Sequence, residues 1–118
     1  TDAGASVALD TSVLISLIGD DDILIAEFLN DYRASLNQAA FEISNAIKSL
    51  DTTALNDAAH KLKSSSRSVG ALLMGDFCEK LEQADCSQPA TLREISGAFE
   101  QLLKQLSEAL KDVLEIPA

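Results

Sequence analysis

The chain has 118 residues, a formal net charge of −10 and 47% hydrophobic residues, but only 4% aromatic residues and no tryptophan. This length supports one domain whose hydrophobic core needs neither a disulfide framework nor a structural metal. The acidic balance argues against nucleic acid and anionic membrane surfaces as partners, because both require a basic surface. No apolar run approaches the roughly 20 residues of a membrane-spanning helix.

The composition favours an all-helical protein. Leucine, isoleucine, valine and alanine supply most of the apolar content, and alanine and leucine are strong helix formers. The two prolines, Pro89 and Pro117, interrupt no long periodic segment. The two cysteines, Cys78 and Cys86, are eight residues apart, which fits neither a CxxC pair nor a metal site. We therefore expect Cys78 to be a buried thiol in a reducing compartment.

The first two predicted helices follow a short lead-in. Residues 1–8 are small and mixed, and we expect them to be flexible. Asp10 is a candidate N-cap for a short helix that stops at Gly19. The run Asp20–Asp22 caps a long second helix and places negative charge at its positive end. Apolar residues recur along this helix at helical spacing, namely at Leu24, Phe28, Tyr32, Leu36, Ala39, Ala40, Ile43, Ile47 and Leu50.

Three further helices complete the chain. Asp51 or Thr52 caps the third, which has apolar residues at Leu55, Ala59, Leu62 and Val69. Gly70 is expected to be its end or a kink. The fourth ends in the loop DCSQP and has apolar residues at Leu73, Phe77, Leu81 and Ala84. The fifth begins near Thr91 and has apolar residues at Leu92, Ile95, Phe99, Leu102, Leu103, Leu106, Leu110, Val113 and Leu114. The predicted fold is an all-α, antiparallel up-and-down four-helix bundle over residues 9–118, with a short extra N-terminal helix covering one end.

The chain has one histidine, His60, in the stretch AAHKLKSSSRSVG. On a helix at about 100° per residue, Lys63, Ser64 and Arg67 fall within roughly 60° of His60, and the apolar residues of the third helix fall on the opposite side. Lys61, Lys63 and Arg67 are the charged residues between positions 58 and 75. We expect this basic cluster to attract a negative group, either a phosphoryl group beside the imidazole or an acidic surface on a partner.

Other kinds of site have little support in the sequence. It contains no Gly-rich phosphate loop, no GxSxG elbow and no HExxH motif, and one histidine without paired cysteines is a weak start for a metal site. The serines at 64–66 are mediocre helix formers. They indicate either close helix packing or a low surface that lets a partner reach His60. A lone surface histidine is often only a solvated side chain, so that interpretation stays open.

Three short runs form one combined pattern: HKLKSSS at 60–66, VGA at 69–71 and CEKLE at 78–82. The pattern resembles that of the histidine-containing phosphotransfer (HPt) domain of bacterial multistep phosphorelays. The family pattern is H-x-L-K-G-[SA]-[SA], a later Gly-Ala and a C-x-x-L-E-like helix. Together with the predicted helix order, the resemblance accounts for most of the chain.

The resemblance implies a four-helix bundle whose exposed His60 accepts a phosphoryl group from a receiver-domain aspartyl phosphate and passes it to another receiver. Lys63 matches the family lysine that neutralises the phosphoryl oxygens. Ser64 stands where the family most often has glycine, a small residue that lets the receiver come close. Lys61 and Arg67 are further candidates for partner binding and charge compensation.

The same resemblance implies a phosphoryl carrier rather than an enzyme, with response-regulator receiver domains and an upstream hybrid histidine kinase as partners. The domain would bind no cofactor or metal of its own, and the receiver would supply Mg²⁺ and the acceptor aspartate. Some family members place Gln or Arg from the next helix near the histidine, and Gln83 is the candidate here. Residue 1 is threonine, which favours a module of a hybrid sensor kinase over a free-standing protein. We expect the domain to be cytoplasmic even if its parent is anchored in a membrane, and a monomer is the default expectation.

Two other interpretations involve the same residues. A histidine-kinase dimerisation helix pair also exposes a phosphorylated histidine, but its motif has an acidic residue after the histidine and a proline soon afterwards. Lys61 follows His60 here, and the next proline is Pro89, so we reject that interpretation. The alternative that stays open is a helical protein-interaction module that docks a partner without phosphotransfer. A relay-derived inhibitor without transfer is disfavoured by the intact His60 and Lys63.

Overall fold

The structure is a computed structural model that describes residues 8–85 and 87–114. Its described residues form helices and no strands. The five helices are α1 (Thr11–Ile18), α2 (Asp22–Lys48), α3 (Thr52–Val69), α4 (Leu72–Leu81) and α5 (Pro89–Leu114). The all-helical prediction is confirmed for this part of the chain.

Each of the first three helices has an aspartate as its N-cap residue. Asp10 accepts a hydrogen bond from the backbone N–H of Ser12, and Asp51 accepts one from Ala54. Asp21 accepts from two backbone N–H groups at the start of α2. Each bond satisfies a donor that the first turn of a helix leaves without an intrahelical partner. The predicted caps at Asp10, in the run Asp20–Asp22 and at Asp51 are therefore confirmed.

Gly70 ends α3 and fixes the position of the N-terminal segment. It adopts the left-handed conformation, with φ of +91°, which favours glycine. The backbone N–H of Asp10 donates to the Gly70 carbonyl at 2.8 Å. A Cβ atom at position 70 would lie only 1.9 Å from the Asp10 carbonyl oxygen, so this close approach requires glycine.

Helix α3 lies between α2 and α4 and contacts both. Residues early in α2 pair with residues late in α3, as the hydrogen bond of 2.7 Å between the Tyr32 and Ser66 hydroxyls illustrates. Residues early in α3 likewise pair with the end of α4. Helix α5 contacts α2 and α4, and the Phe77 and Phe99 rings stack with centroids 6.1 Å apart. The buried face of α3 consists of Leu55, Ala58, Ala59, Leu62, Ser66 and Val69.

Parts of the predicted apolar faces of α2 and α4 are wrong. In the first turns of α2 the buried residues are Ile25 and Leu29, whereas Leu24 and Phe28 are 39% and 46% exposed. In α4 the buried residues are Met74, Gly75, Cys78 and Leu81, whereas Leu73 is exposed and Phe77 is half-buried. The neighbouring helices, rather than periodicity alone, select which of two adjacent apolar rows is covered.

The ends of several predicted segments also differ from the structure. Helix α2 ends at Lys48, so Leu50 lies in the following turn, with a positive φ of 57° and 61% exposure. Helix α5 begins at Pro89 rather than near Thr91. Within the predicted lead-in at residues 1–8, only Ala8 lies among the described residues, and it is buried. None of the helices in the described part of the chain is long and apolar enough to cross a membrane.

Candidate functional site

The imidazole of His60 lies on the surface of α3, with 68% of its side chain exposed. The apolar residues of α3 occupy the opposite side of the helix and are buried, as the sequence predicts. The ring touches the protein through Nδ1, which lies 2.5 Å from Oε2 of Glu82. A carboxylate accepts hydrogen bonds, so the neutral ring donates through Nδ1–H and carries its lone pair on Nε2. His60 is thus an exposed imidazole, and we assign the tautomer of its neutral form from this contact.

Lys63 lies one turn after His60 and binds the same carboxylate. Its Nζ donates to Oε1 of Glu82 at 2.5 Å, and both side chains are only 21% exposed. The two oxygens of Glu82 therefore serve different partners. The hydrogen bond from Lys63 and then that from His60 hold the pKa of Glu82 below its ordinary value, so the carboxylate stays ionised at neutral pH.

Glu82 is the residue at the C-terminal end of α4. A negative charge is unfavourable there, because the end of a helix carries a partial negative charge of its own. The Lys63 ammonium compensates the charge of the Glu82 carboxylate, to which it is hydrogen-bonded, and the partial negative charge of the helix end. The position of Glu82 thus depends on α3 as well as on α4, and it couples the two helices beside the imidazole.

The other predicted site residues lie around this centre in different ways. Ser64 is exposed on the face of α3 that carries His60. Lys61 is 73% exposed, and its Nζ is 4.0 Å from Oε1 of Glu42 on α2. Gln83 is exposed in the turn after α4, where its backbone N–H donates to the Lys80 carbonyl. The residue that reaches the histidine from α4 is Glu82, one position before Gln83.

Arg67 is directed towards α4 rather than towards His60. Its guanidinium donates to Glu79 at 2.6 Å and to Asp76 at 3.3 Å. The hydrogen bond to Glu79 is the main cause that raises the pKa of Arg67 above its ordinary value. A Cβ atom at Gly75 would lie 2.7 Å from Cγ of Arg67, so the side chain crosses α4 where that helix has no side chain.

The basic cluster is therefore largely compensated within the protein. Lys63 and Arg67 each have a carboxylate from α4 within 3.3 Å, and Lys61 has one from α2 at 4.0 Å. These acidic partners are distant in sequence from residues 58–75. The surface around the three cations is therefore less positive than the sequence of that stretch suggests. Lys61 is the most exposed of the three cations.

A shallow groove of about 400 Å³ lies between α2 and α3, next to Lys61. Small side chains line much of it, including Ala34, Ser35, Ala58 and Ser65. The third of the predicted serines, Ser66, is buried and accepts or donates the hydrogen bond with Tyr32. Ser66 therefore supports the close packing of α2 and α3 that is one of the two roles proposed from the sequence, and Ser65 lines the groove between these helices.

Sequence reasoning missed Glu82 and Asn56. Glu82 is the final residue of the CEKLE run, but the candidate predicted to lie near the histidine is its neighbour, Gln83. Asn56 lies one turn before His60, and one terminal atom of its side-chain amide lies 2.8 Å from the Leu81 carbonyl oxygen and 3.2 Å from that of Glu82. We assign this atom as the amide nitrogen, because two carbonyl oxygens can only accept hydrogen bonds. No motif in the sequence marks this asparagine.

The site combines an exposed imidazole, a carboxylate on its Nδ1 and an ammonium one turn away. The Hpt domain family model matches residues 24–112. The chain therefore belongs to the Hpt domain family, whose members carry phosphoryl groups between kinases and receiver-domain response regulators in phosphorelays.

One solved structure supports the same fold. The crystal structure of histidine-containing phosphotransfer protein B (HptB) from Pseudomonas aeruginosa PAO1 matches with a TM-score of 0.54 and 24% identity, over 88% of this chain and 95% of that chain. At this identity the similarity is evidence for the fold alone. No sequence among the curated proteins matches.

Proposed function

We propose that this domain accepts a phosphoryl group on Nε2 of His60 from an aspartyl phosphate of one receiver domain and passes it to another. The observation that carries the proposal is the shared carboxylate of Glu82, which binds Nδ1 of His60 and Nζ of Lys63 at 2.5 Å each. This bond holds a proton on Nδ1, so the lone pair on Nε2 faces the approaching phosphorus.

The transfer step is a displacement at phosphorus. The Nε2 lone pair forms an N–P bond while the P–O bond to the receiver aspartate breaks, and the aspartate leaves as a carboxylate. No proton needs to leave the ring, because Nδ1–H stays bonded to Glu82. Lys63 lies one turn from His60 and is placed to turn part of its hydrogen bonding from Glu82 to the phosphoryl oxygens. The second receiver reverses the step.

The partner surface in this proposal surrounds His60 on α2 and α3. Ser64 and the groove beside Lys61 leave room for a receiver, and Lys61 is the exposed cation nearest to that groove. The receiver would bring the acceptor aspartate and Mg²⁺, and this domain would bind no cofactor. Arg67 would act mainly through its contacts with α4 rather than on the phosphoryl group.

The finer features of the family complete the proposal. Residues 9–118 would form one monomeric domain in which α2–α5 are an antiparallel four-helix bundle and α1 covers one end. It would have no autokinase activity and would function in the cytoplasm as a module of a hybrid histidine kinase. Helix contacts support the bundle, since residues early in α3 pair with the end of α4, and Tyr32 in α2 pairs with Ser66 in α3.

A second candidate function is partner docking without phosphotransfer. It is favoured by the large apolar side chains that stay exposed, which are Leu17, Ile23, Leu24, Phe28, Phe41, Leu50, Leu72 and Leu73. Several lie on α1 and the first turns of α2, where a partner helix can pack. Docking is also needed for phosphotransfer, so the two functions differ only in whether His60 is required.

The test is transfer from a phosphorylated receiver with Mg²⁺, with the His60→Gln variant as the control. We expect acid-labile, base-stable phosphate on the wild-type chain and none on the variant. Binding of a receiver by both chains, without label on either from any receiver tested, would support the docking function instead.

A further inference from the structure

Asn56 connects α3 to the end of α4 close to His60. Carbonyl oxygens only accept hydrogen bonds, so the amide nitrogen of Asn56 faces them and donates to Leu81 O at 2.8 Å and to Glu82 O at 3.2 Å. Asn56 and His60 are four residues apart on one helix and so lie on the same side of it. The same residue, Glu82, is thus held by Asn56 through its backbone and bonded to His60 through its side chain.

The end of α4 receives this donor from outside the helix. Its C-cap residue, Glu82, has φ of −62° and ψ of −20°, so the helix ends without the left-handed glycine that closes α3. The next backbone N–H groups, of Gln83 and Ala84, satisfy the carbonyls of Lys80 and Leu81. The Glu82 carbonyl accepts from the side chain of Asn56. The last carbonyls of a helix need such partners, so Asn56 acts as a C-cap from a neighbouring helix.

We propose that Asn56 is a positioning residue for phosphotransfer: it fixes the last turn of α4 so that the Glu82 carboxylate stays on Nδ1 of His60. This inference rests on the proposed function. The carboxylate selects Nε2 as the nucleophile only while it remains within hydrogen-bond distance of the ring, and small displacements of a positioning group cost rate. Lys63 restrains the side chain of Glu82, and Asn56 restrains its backbone.

The experiment compares Asn56→Ala and Asn56→Asp with wild type. The aspartate has nearly the same shape but no donor, so it removes the two bonds with little change in volume and adds a negative charge that faces the two carbonyl oxygens. Asn37→Ala, at an exposed position in α2, is the matched control. Three quantities are measured: the rate of phosphoryl transfer from a receiver, the imidazole ¹⁵N chemical shifts of the unphosphorylated domain, and the thermal unfolding midpoint.

We expect both Asn56 variants to transfer about three- to tenfold more slowly than wild type. The two bonds come from one amide group and one of them is long, so we take their joint effect to be about that of one typical hydrogen bond. Their ¹⁵N shifts should move towards a mixture of the two imidazole tautomers, which a purely structural role would not produce in a folded protein. In a Glu82→Ala background, Asn56→Ala should change the rate less than about twofold, because Asn56 acts through Glu82.

Two results would overturn the inference. One is a folded Asn56→Asp variant with wild-type ¹⁵N shifts and wild-type rate. The other is equal slowing by Asn56→Ala with and without the Glu82 side chain. If the wild-type domain accepts no phosphate from any receiver, the proposed function fails, and the ¹⁵N shifts alone still decide whether Asn56 sets the tautomer of His60.

Discussion

Replacement of Tyr32 by phenylalanine is expected to destabilise the fold because it removes the hydrogen-bond partner of the buried Ser66 hydroxyl. The Tyr32 and Ser66 hydroxyls form a hydrogen bond of 2.7 Å, and both side chains are buried, with 3% and 0% exposure. The phenylalanine fills nearly the same volume but leaves the Ser66 hydroxyl without its partner from α2. An unsatisfied buried group of this kind costs about 1–3 kcal/mol.

The assay is urea and thermal unfolding followed by circular dichroism. For a chain of this length the expected loss lowers Tm by roughly 5–15 °C. The double variant Tyr32→Phe/Ser66→Ala removes both partners, so its cost should be smaller than the sum of the two single costs by about 1 kcal/mol or more. Ser65→Ala is the control, because that hydroxyl bonds within α3, to Leu62 O at 3.2 Å, and we expect a change within about 0.5 kcal/mol.

The same residue gives a pH dependence. Burial raises the pKa of Tyr32 above its ordinary value, so the folded state retains the proton more strongly than the unfolded state does. This contribution to stability is complete below the unfolded-state pKa near 10 and is lost as the pH rises through the raised pKa. Tyr32→Phe should therefore lack part of the alkaline loss of stability. The reasoning would be refuted if Tyr32→Phe left the free energy of unfolding unchanged. It would also be refuted if the cost of the double variant equalled the sum of the two single costs.

Other positions give predictions of different kinds. Gly70→Ala should lower the free energy of unfolding by about 3 kcal/mol or more, because a Cβ there meets the Asp10 carbonyl at a positive φ; urea unfolding measures this loss, and an unchanged midpoint would contradict it. Lys63→Gln should slow phosphotransfer at least about tenfold, and Lys61→Gln less than about threefold; equal effects in a transfer assay would argue against a special role for Lys63. Arg67→Gln should leave the transfer rate within about twofold and lower the urea midpoint slightly; a rate loss as large as that of Lys63→Gln would place Arg67 on the phosphoryl group.

The helix limits were largely predictable because local chemistry sets them. Asp10 and Asp51 cap helices through side-chain oxygens that accept from backbone N–H groups two or three residues later. Gly70 ends α3 with a positive φ, and its lack of a Cβ leaves room for Asp10. These features lie within a few residues of one another in sequence or depend on one residue type. The limits of α4 and α5 have weaker local signals, and their predictions are less accurate. Helix α4 ends at Leu81, before the predicted apolar position Ala84, and α5 begins at Pro89 rather than near Thr91.

The covered face of a helix was harder to predict where two apolar rows compete. Near the start of α2, Leu24 and Phe28 form one row and Ile25 and Leu29 form the next, both at helical spacing. Only the second row is buried, because tertiary contacts choose between them. A choice that is wrong by one position rotates the predicted face by about 100°.

The same limit explains the outcome at the site. His60 and Lys63 lie one turn apart, so their pairing follows from helical spacing. Glu82 joins them from 22 residues after His60, and its direction depends on where α4 ends and on the donor from Asn56. The family resemblance therefore offers Gln83, one position away, as a candidate. The sequence likewise shows the basic cluster without the acidic residues of α2 and α4 that compensate it.

The measurement that tests the account most directly is ³¹P NMR of the domain after transfer from a phosphorylated receiver, because the chemical shift distinguishes phosphate on Nε2 from phosphate on Nδ1. The account predicts a single phosphoramidate signal, from Nε2 of His60, that is absent in the His60→Gln variant. Phosphate on Nδ1, the nitrogen that Glu82 binds, or on any other residue would contradict it.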